Sequence, residues 1–146
     1  MKVEENRGLV VVHAPEAKNS KQSLPYFVGI SGHNAGATRI SMNMVIIPAA
    51  GAAEPHCHSD FESAIYVIKG RVLTRYGEGL THEAVAEAGD FLFIGPNVWH
   101  QPVNLSETEE AVAIVARNDP EEQEHVILLD RQAGDEPGAR SCTTKC

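Results

Sequence analysis

The chain has 146 residues, of which 42% are hydrophobic and 22% charged, and its formal net charge is −8. These values fit one globular domain with a single core, and they argue against the basic surface that nucleic-acid binding requires. The apolar runs are too short to cross a membrane, and the N-terminal run at residues 9–12 is too short for a secretory signal. We therefore expect no nucleic-acid or membrane partner and a cytoplasmic location.

Short β-rich segments follow one another along the chain, separated by Gly, Pro and Asn, and no segment has a convincing helical pattern. The predicted strands are residues 9–12, 26–30, 39–47, 63–68, 71–76, 84–87, 91–94, 99–103, 111–116 and 126–129. Turns are predicted at residues 77–79 and 88–90, and Lys69-Gly70 predicts a tight hairpin. Many short strands with regular turns predict an all-β sandwich or closed barrel.

The two ends of the chain have a less regular pattern. We interpret residues 1–26 as an N-terminal arm, 27–129 as the barrel and 130–146 as a polar C-terminal tail. The tail contains Cys142 and Cys146, which are interpreted as part of a frayed terminus rather than as a redox pair or a metal clip. In a reducing compartment these cysteines and Cys57 would remain thiols.

The stretch His56-Cys57-His58-Ser59-Asp60-Phe61-Glu62 is the first candidate site. Residues i and i+2 on a strand lie on one face, roughly 6.5–7 Å apart, so two imidazoles can lean towards one metal ion. Cys57 would then point to the opposite face. Glu62 could return a carboxylate to the same ion after a short bend, and Asp60 is the lesser alternative.

A third histidine strengthens this interpretation. Gly89-Asp90 predicts a turn, a strand follows, and Pro96-Asn97 turns the chain again before His100. Two such units side by side in a small barrel would bring His100 opposite the first cluster.

In this pattern the chain resembles the cupin superfamily, in particular its small single-domain metal-binding members. The first cupin motif contains Gly, His-x-His, Glu and Gly, and this chain offers Gly51, His56, His58, Glu62 and Gly70. Gly89, His100 and Asn104 fit the second motif, with Pro96 close by. Gly95 stands where that motif has Pro, and Asn97, which tolerates left-handed backbone, stands where it has Gly.

The resemblance implies a double-stranded β-helix, or jelly-roll barrel, with His56, His58, Glu62 and His100 as metal ligands. It implies one divalent transition metal per chain, Mn or Fe being favoured and Ni, Co or Zn also suitable. It further implies a small-molecule substrate or ligand and a homodimer that associates through edge strands and the N-terminal arm.

The position of Glu62 departs from the motif. Seven residues lie between Glu62 and Gly70, one more than usual in the family. Strand alternation from Ile65 and Val67 would therefore place Ser63 inward, and Glu62 reaches the metal only through a bulge or from outside the regular strand.

Several further residues are candidates for the cavity lining. Tyr66, Arg75 and Tyr76 could orient an anionic substrate if they face inward. The aromatic side chains Phe91, Phe93 and Trp99 are interpreted as core or interface residues. Lumen candidates, depending on which parity faces in, are Met42, Met44, Ile46 and residues 112–115. Surface or structural roles are expected for His13, His33, His82 and His125.

These patterns predict a small metalloenzyme that acts on a small, oxygen-rich substrate, with oxygenase, decarboxylase and isomerase chemistries all open. No separate nucleophile–base arrangement is visible, so any chemistry would centre on the metal. Two alternatives are a non-catalytic module that binds or senses a metal or small ligand, and a cupin whose metal is only structural.

Overall fold

The computed structural model describes residues 1–6, 8–121, 123 and 125–129. Its strands are β1 (Lys2–Asn6), β2 (Leu9–His13), β3 (Ala17–Asn19), β4 (Pro25–Ile30), β5 (Ser41–Ile47), β6 (His56–His58), β7 (Ser63–Lys69), β8 (Arg71–Tyr76), β9 (His82–Glu87), β10 (Phe91–Ile94), β11 (His100–Asn104), β12 (Ala111–Arg117) and β13 (Val126–Leu128). A short helix, α1 (Gly32–Ala35), and one 3-10 turn, Glu78–Leu80, complete the elements. The predicted tail, residues 130–146 with Cys142 and Cys146, lies outside the described residues.

The strands form two main sheets and a separate hairpin. The six-stranded sheet has the order β10-β7-β12-β5-β4-β3, and the five-stranded sheet has the order β13-β6-β11-β8-β9. All pairings within the sheets are antiparallel. The all-β jelly-roll prediction is confirmed, and none of the helices in the described ranges is long and apolar enough to span a membrane.

Strand alternation decides which side chains face the interior. On β5 the buried positions are Ser41, Asn43 and Ile47. Met42 lies on the opposite face and is exposed, so the alternative parity, which placed Met42 and its i+2 neighbours in the lumen, is wrong. The outward positions of this strand are all apolar, whereas Ser41 and Asn43 on the inward side are polar, so hydrophobic alternation does not identify its inward face.

Gly70 marks a crossing between sheets rather than a hairpin. The strands on either side of it, β7 and β8, belong to different sheets, so the predicted hairpin at Lys69-Gly70 is wrong. Gly70 has φ of +89°, and a Cβ there would lie 2.9 Å from the Cβ of Ala111. Glycine is thus required both for the left-handed backbone and for the close approach of β12. The turn predicted after Tyr76 does close a hairpin, since β8 pairs with β9.

Strands β1 and β3 and helix α1 were not predicted. Strand β1 pairs with β2, which was predicted at residues 9–12, to form a hairpin inside the predicted arm, and β3 extends the six-stranded sheet at its β4 edge. Helix α1 is a single turn in which Ser31 and Asn34 form a reciprocal capping box. Capping hydrogen bonds stabilise this turn without any hydrophobic periodicity. Hydrophobic periodicity therefore did not predict it.

The densest apolar packing lies at one end of the space between the sheets. Its members are Leu24, Ile47, Ala53, Val72 and Ala111, with Val45 packed against them. The histidines of the candidate site lie towards the other end of the same interior. The core therefore fixes the strands that carry the site.

Candidate metal centre

Three histidines meet inside the five-stranded sheet. His56 and His58 lie on β6, and His100 is the direct antiparallel neighbour of His56 on β11. Their ring centroids are 4.2 Å apart for His56–His100, 5.1 Å for His56–His58 and 5.4 Å for His58–His100. All three are buried, and their possible ligand atoms lie within 4.8 Å of one another. The predicted approach of His100 to the first cluster is confirmed.

Backbone carbonyls orient two of the rings. Nδ1–H of His56 donates to the carbonyl of Glu54 at 2.7 Å, and Nδ1–H of His100 donates to the carbonyl of Val98 at 2.8 Å. A carbonyl can only accept, so the proton is on Nδ1 and the lone pair is on Nε2. This is the arrangement in which proteins present a histidine to a metal ion.

The electrostatics of the cluster favour neutral imidazoles. Burial lowers the pKa of all three histidines, and the pKa of His100 falls to about 4. The Arg117 guanidinium lowers the pKa of His58 further. At neutral pH each ring therefore keeps a free electron pair, as a metal ligand must.

Arg117 completes the cluster. It is buried at the end of β12, where its Nη2 donates to Nε2 of His58 at 3.1 Å and its Nε donates to Oγ of Ser63 at 3.0 Å. Burial lowers the pKa of Arg117 to about 10, and the charge of Asp119 opposes this shift. The guanidinium therefore stays charged at neutral pH.

Sequence analysis missed Arg117, although a signal for it existed. The predicted strand at residues 111–116 stopped one position too early, and alternation from Ala111 would have placed position 117 inward. The inward position of Ser63, in contrast, follows the predicted alternation and leaves room for the guanidinium.

The structure does not bring Glu62 to the histidines. Its side chain is exposed, and its backbone N–H donates to Oδ1 of Asn118 at 2.8 Å. Across the described ranges, the group of possible metal donors around His56 contains the three histidines and neither Glu62, Asp60 nor Cys57. The extra residue before Gly70 explains this, because β7 begins with Ser63 on the inward side.

Asp60 instead ties the two motif loops together. Its backbone N–H donates to Oδ1 of Asn97, and Nδ2 of Asn97 donates to Oδ1 of Asp60 at 3.1 Å. Asn97 has φ of +62°, as predicted for a residue in the place of the motif's Gly. This reciprocal pair holds the loop after β6 against the loop that leads into His100.

A cavity of about 80 Å³ adjoins the histidines. Its polar lining includes Arg117, Asn43, Gln22 and Thr74, and among the described residues that line it there is no Asp or Glu. A wider apolar groove of about 400 Å³ shares Thr74, Ile94 and His100 with this cavity.

Of the substrate-orienting candidates, one lies near the site. Tyr76 lines the groove beside His100. Tyr66 lies on the outer face against Phe91, with ring centroids 4.7 Å apart. Arg75 is also outward, where it pairs with Glu83 at 3.4 Å.

A two-sheet jelly roll with a buried cluster of histidines inside defines the cupin class of fold and site. The chain belongs to the cupin family: the family model described as "Cupin domain" matches residues 43–117, about half of the chain. No curated protein sequence matches the chain.

Solved structures show the same fold. The chain is similar to an oxalate decarboxylase from Lactobacillus farciminis, with TM-score 0.66 and 19% identity over 79% of this chain and 33% of that one. For an oxalate oxidase in complex with glycolate, the TM-score is 0.64 and the identity 22%, over 78% of this chain and 60% of that one. For the polyketide cyclase RemF from Streptomyces resistomycificus, the TM-score is 0.66 and the identity 20%, over 86% of this chain and 87% of that one. The chain thus spans a third of the decarboxylase and three fifths of the oxidase, but most of the cyclase.

Proposed function

We propose that the chain binds one divalent transition metal through His56, His58 and His100 and acts as a small metalloenzyme on a small, oxygen-rich substrate. The observation that carries this proposal is the geometry of the three imidazoles. They are buried and converge within 4.8 Å, and backbone carbonyls fix the tautomers of two of them. Burying three imidazoles is costly unless their polar atoms are used, and a metal uses all three.

The donor set bears on the choice of metal. With Glu62 exposed, the set contains three neutral nitrogens and no carboxylate. Imidazole suits Fe, Co, Ni and Zn, whereas Mn prefers oxygen ligands. We therefore expect an ion between Fe and Zn in the series, and Mn, which the resemblance favoured alongside Fe, to bind more weakly.

The surroundings of the site suit a substrate. An ion held by three imidazoles keeps coordination positions open, and when bound it supplies Lewis-acid chemistry to an oxygen atom of the substrate. The cavity has room for only a few non-hydrogen atoms at about 80 Å³, since a water molecule takes about 30 Å³ in the liquid. The apolar groove beside His100 provides a route in and space for a less polar part of the substrate.

The similar structures support the enzyme class and not a particular reaction. By their descriptions they are an oxidase, a decarboxylase and a cyclase. The same fold thus serves several reactions, and the reaction of this chain depends on its own residues.

Metal binding is tested with His58→Ala. We expect the wild type, stripped with a chelator and reloaded, to hold one Zn²⁺ or Fe²⁺ per chain by elemental analysis, and the variant to bind at least 100-fold more weakly. His33→Ala, an exposed histidine on α1, is the matched control and should bind like the wild type. Equal binding by His58→Ala would contradict the site. Loss of the folded state in that variant would indicate a structural metal instead.

Turnover is tested on the metal-loaded protein with a panel of small carboxylic and hydroxy acids, in air and under anoxia, with products followed by NMR. Consumption only in air would indicate oxygenase or oxidase chemistry, and consumption without oxygen would indicate decarboxylation or isomerisation. Binding of an acid without turnover under both conditions would favour the alternative, a binding or sensing module.

The proposal includes a homodimer built on the outer face of the six-stranded sheet. On its edge strand β10, Phe91 is 81% exposed and Phe93 68% exposed. Met42, Tyr66 and Ile68 are also exposed and large. Phe91 and Phe93 were expected to be core or interface residues. Their exposure excludes the core, and we propose that they lie in the interface. An apolar patch of this kind is typical of a surface that another protein covers.

Sedimentation equilibrium tests the dimer. We expect the wild type to sediment as a dimer at micromolar concentration and the double variant Phe91→Ser, Phe93→Ser as a monomer. Val85→Ser, which changes an exposed residue on strand β9 of the other sheet, should remain dimeric. A monomeric wild type would contradict the proposal.

A further inference from the structure

We propose that Arg117, together with the metal held by the three imidazoles, forms the binding site for a small carboxylate that also carries a hydroxyl group. The inference deepens the proposed function and rests on its metal site. It names the substrate class as an anion and Arg117 as the residue that selects it.

The first step is the position of the guanidinium. Arg117 pairs across the sheet with Ser63 on β7, the position that faces inward because Glu62 does not. A cation therefore lies beside the histidines, and no carboxylate accompanies it into the cavity.

The second step is charge. A divalent ion next to Arg117 would place two positive groups side by side, and no Asp or Glu is among the described residues that line the cavity. The charge of the buried Asp119 acts on Arg117, but Asp119 does not line the cavity, and its oxygens accept hydrogen bonds from Nδ1 of His125 at 2.7 Å and from the N–H of Glu121 at 2.9 Å. One carboxylate cannot balance both the guanidinium and a divalent ion, so an anion bound inside the cavity supplies further negative charge at short distance.

The third step is the hydrogen bond between Arg117 and His58. Nη2–H of Arg117 donates to Nε2 of His58, the same electron pair that a metal would use. Metal binding therefore releases this N–H, which then needs a new acceptor inside a buried site. A carboxylate oxygen bound next to the metal is such an acceptor, and a guanidinium matches a carboxylate in geometry.

The hydroxyl group is inferred from two buried amides. Oδ1 of Asn43 and Oε1 of Gln22 have no hydrogen-bond partner within the described ranges, and both residues line the cavity. Asn43 pairs with Val115, two residues from Arg117 on the same strand and face. Buried acceptors without a donor are uncommon in folded proteins, and a ligand O–H beside the carboxylate would satisfy one of them.

The test uses glycolate as the probe and glycolamide, which is similar in shape and neutral, as its comparator. The protein is loaded with Zn²⁺, which is redox-inert, and titrated by calorimetry. We expect glycolate to bind at least tenfold more tightly than glycolamide and to lose at least tenfold in affinity in Arg117→Met. Arg75→Met, which removes an outward-facing guanidinium that pairs with Glu83, is the matched control and should stay within about threefold of the wild type.

A second readout separates binding from a merely structural role. Without any carboxylate present, Arg117→Met should bind Zn²⁺ at least as tightly as the wild type, because its side chain no longer competes for Nε2 of His58. A residue that only supported the fold would weaken Zn²⁺ binding when replaced.

Several results would overturn the inference. These are unchanged glycolate affinity in Arg117→Met, and equal affinity of the wild type for glycolate and glycolamide. If Arg117→Met does not fold, glycolate affinity is measured in Arg117→Lys instead, and unchanged affinity there overturns the inference. The wild-type preference for glycolate over glycolamide is tested in either case, and its absence also overturns the inference. Failure of the metal site shows separately, as a wild type that holds no Zn²⁺ before any glycolate is added.

Discussion

The two ends of the barrel interior differ although the same strands build both. On β5, Asn43 faces the histidine end and Ile47 faces the apolar end. On β12, Arg117 and Ala111 are divided in the same way. The apolar end packs side chains that stabilise the fold, whereas the histidine end buries polar groups that cost stability unless a ligand uses them. Each of these strands thus carries apolar packing at one end and buried polar groups at the other.

Two buried asparagines make this comparison sharp. Asn104 is satisfied by the protein: Nδ2 donates to the carbonyls of Ile47, Pro48 and Glu109, and Oδ1 accepts from the N–H of Ser106. Asn43 has an Oδ1 without a partner within the described ranges. The first asparagine is built into the fold and the second faces the cavity.

The largest expected loss of stability follows from replacing Asn104. Asn104→Ala leaves several buried backbone groups without partners, so we expect the free energy of unfolding to fall by about 4 kcal/mol. Urea denaturation measures this loss. Asn43→Ala is the matched control and should cost less than about 1 kcal/mol, because it breaks no such network. Similar losses in the two variants would remove the distinction between the two ends.

The next effect is the pH dependence of the metal-free protein. His100 has a pKa of about 4 in the folded chain against 6.5 when unfolded, chiefly because of burial. The unfolded chain therefore binds more protons between these values, and stability falls as the pH drops from 6.5 to 4. For His100 alone, the free energy of unfolding falls by on the order of 3 kcal/mol over this pH range.

Urea denaturation after chelation, at several pH values between 7.5 and 4.5, measures this slope. His100→Gln removes one of the three buried imidazoles and should make this slope shallower, while His56 and His58, whose pKa values burial also lowers, maintain the rest. Zn²⁺ should raise stability most at the upper end of the range, where the imidazoles are neutral. Stability that stays constant between pH 6.5 and 4.5 would contradict the account of the buried histidines.

The histidine cluster was predictable because both of its signals are local. Two histidines at i and i+2 share a strand face, and the turn at Asn97 places the third, with the family resemblance confirming the order of the motifs. The inward position of Ser63 also followed from alternation along β7. These inferences needed only the period of a strand and the chemistry of a turn.

The rest depended on tertiary contacts. The sequence predicts a hairpin at Gly70 because a glycine with positive φ suits both a hairpin turn and a crossing between sheets. Which of the two forms depends on the sheet that β8 joins, and this is a tertiary contact. The Arg117–His58 contact joins residues 59 positions apart. Alternation along β12 could have placed Arg117 inward, but nothing in the local pattern of either segment records its contact with His58.

The smallest effect compares one substitution at two places. Val67 is fully buried on β7 among the apolar side chains, whereas Val85 on β9 is about half exposed. Val67→Ala removes buried methyl groups and leaves a void, so we expect it to lower the free energy of unfolding by about 2 kcal/mol. Val85→Ala should lower it by less than about 0.5 kcal/mol. Because neither residue lines the histidine cavity, Zn²⁺ affinity should be the same in both variants. A change in Zn²⁺ affinity in Val67→Ala alone would mean that packing at the apolar end sets the geometry of the histidines.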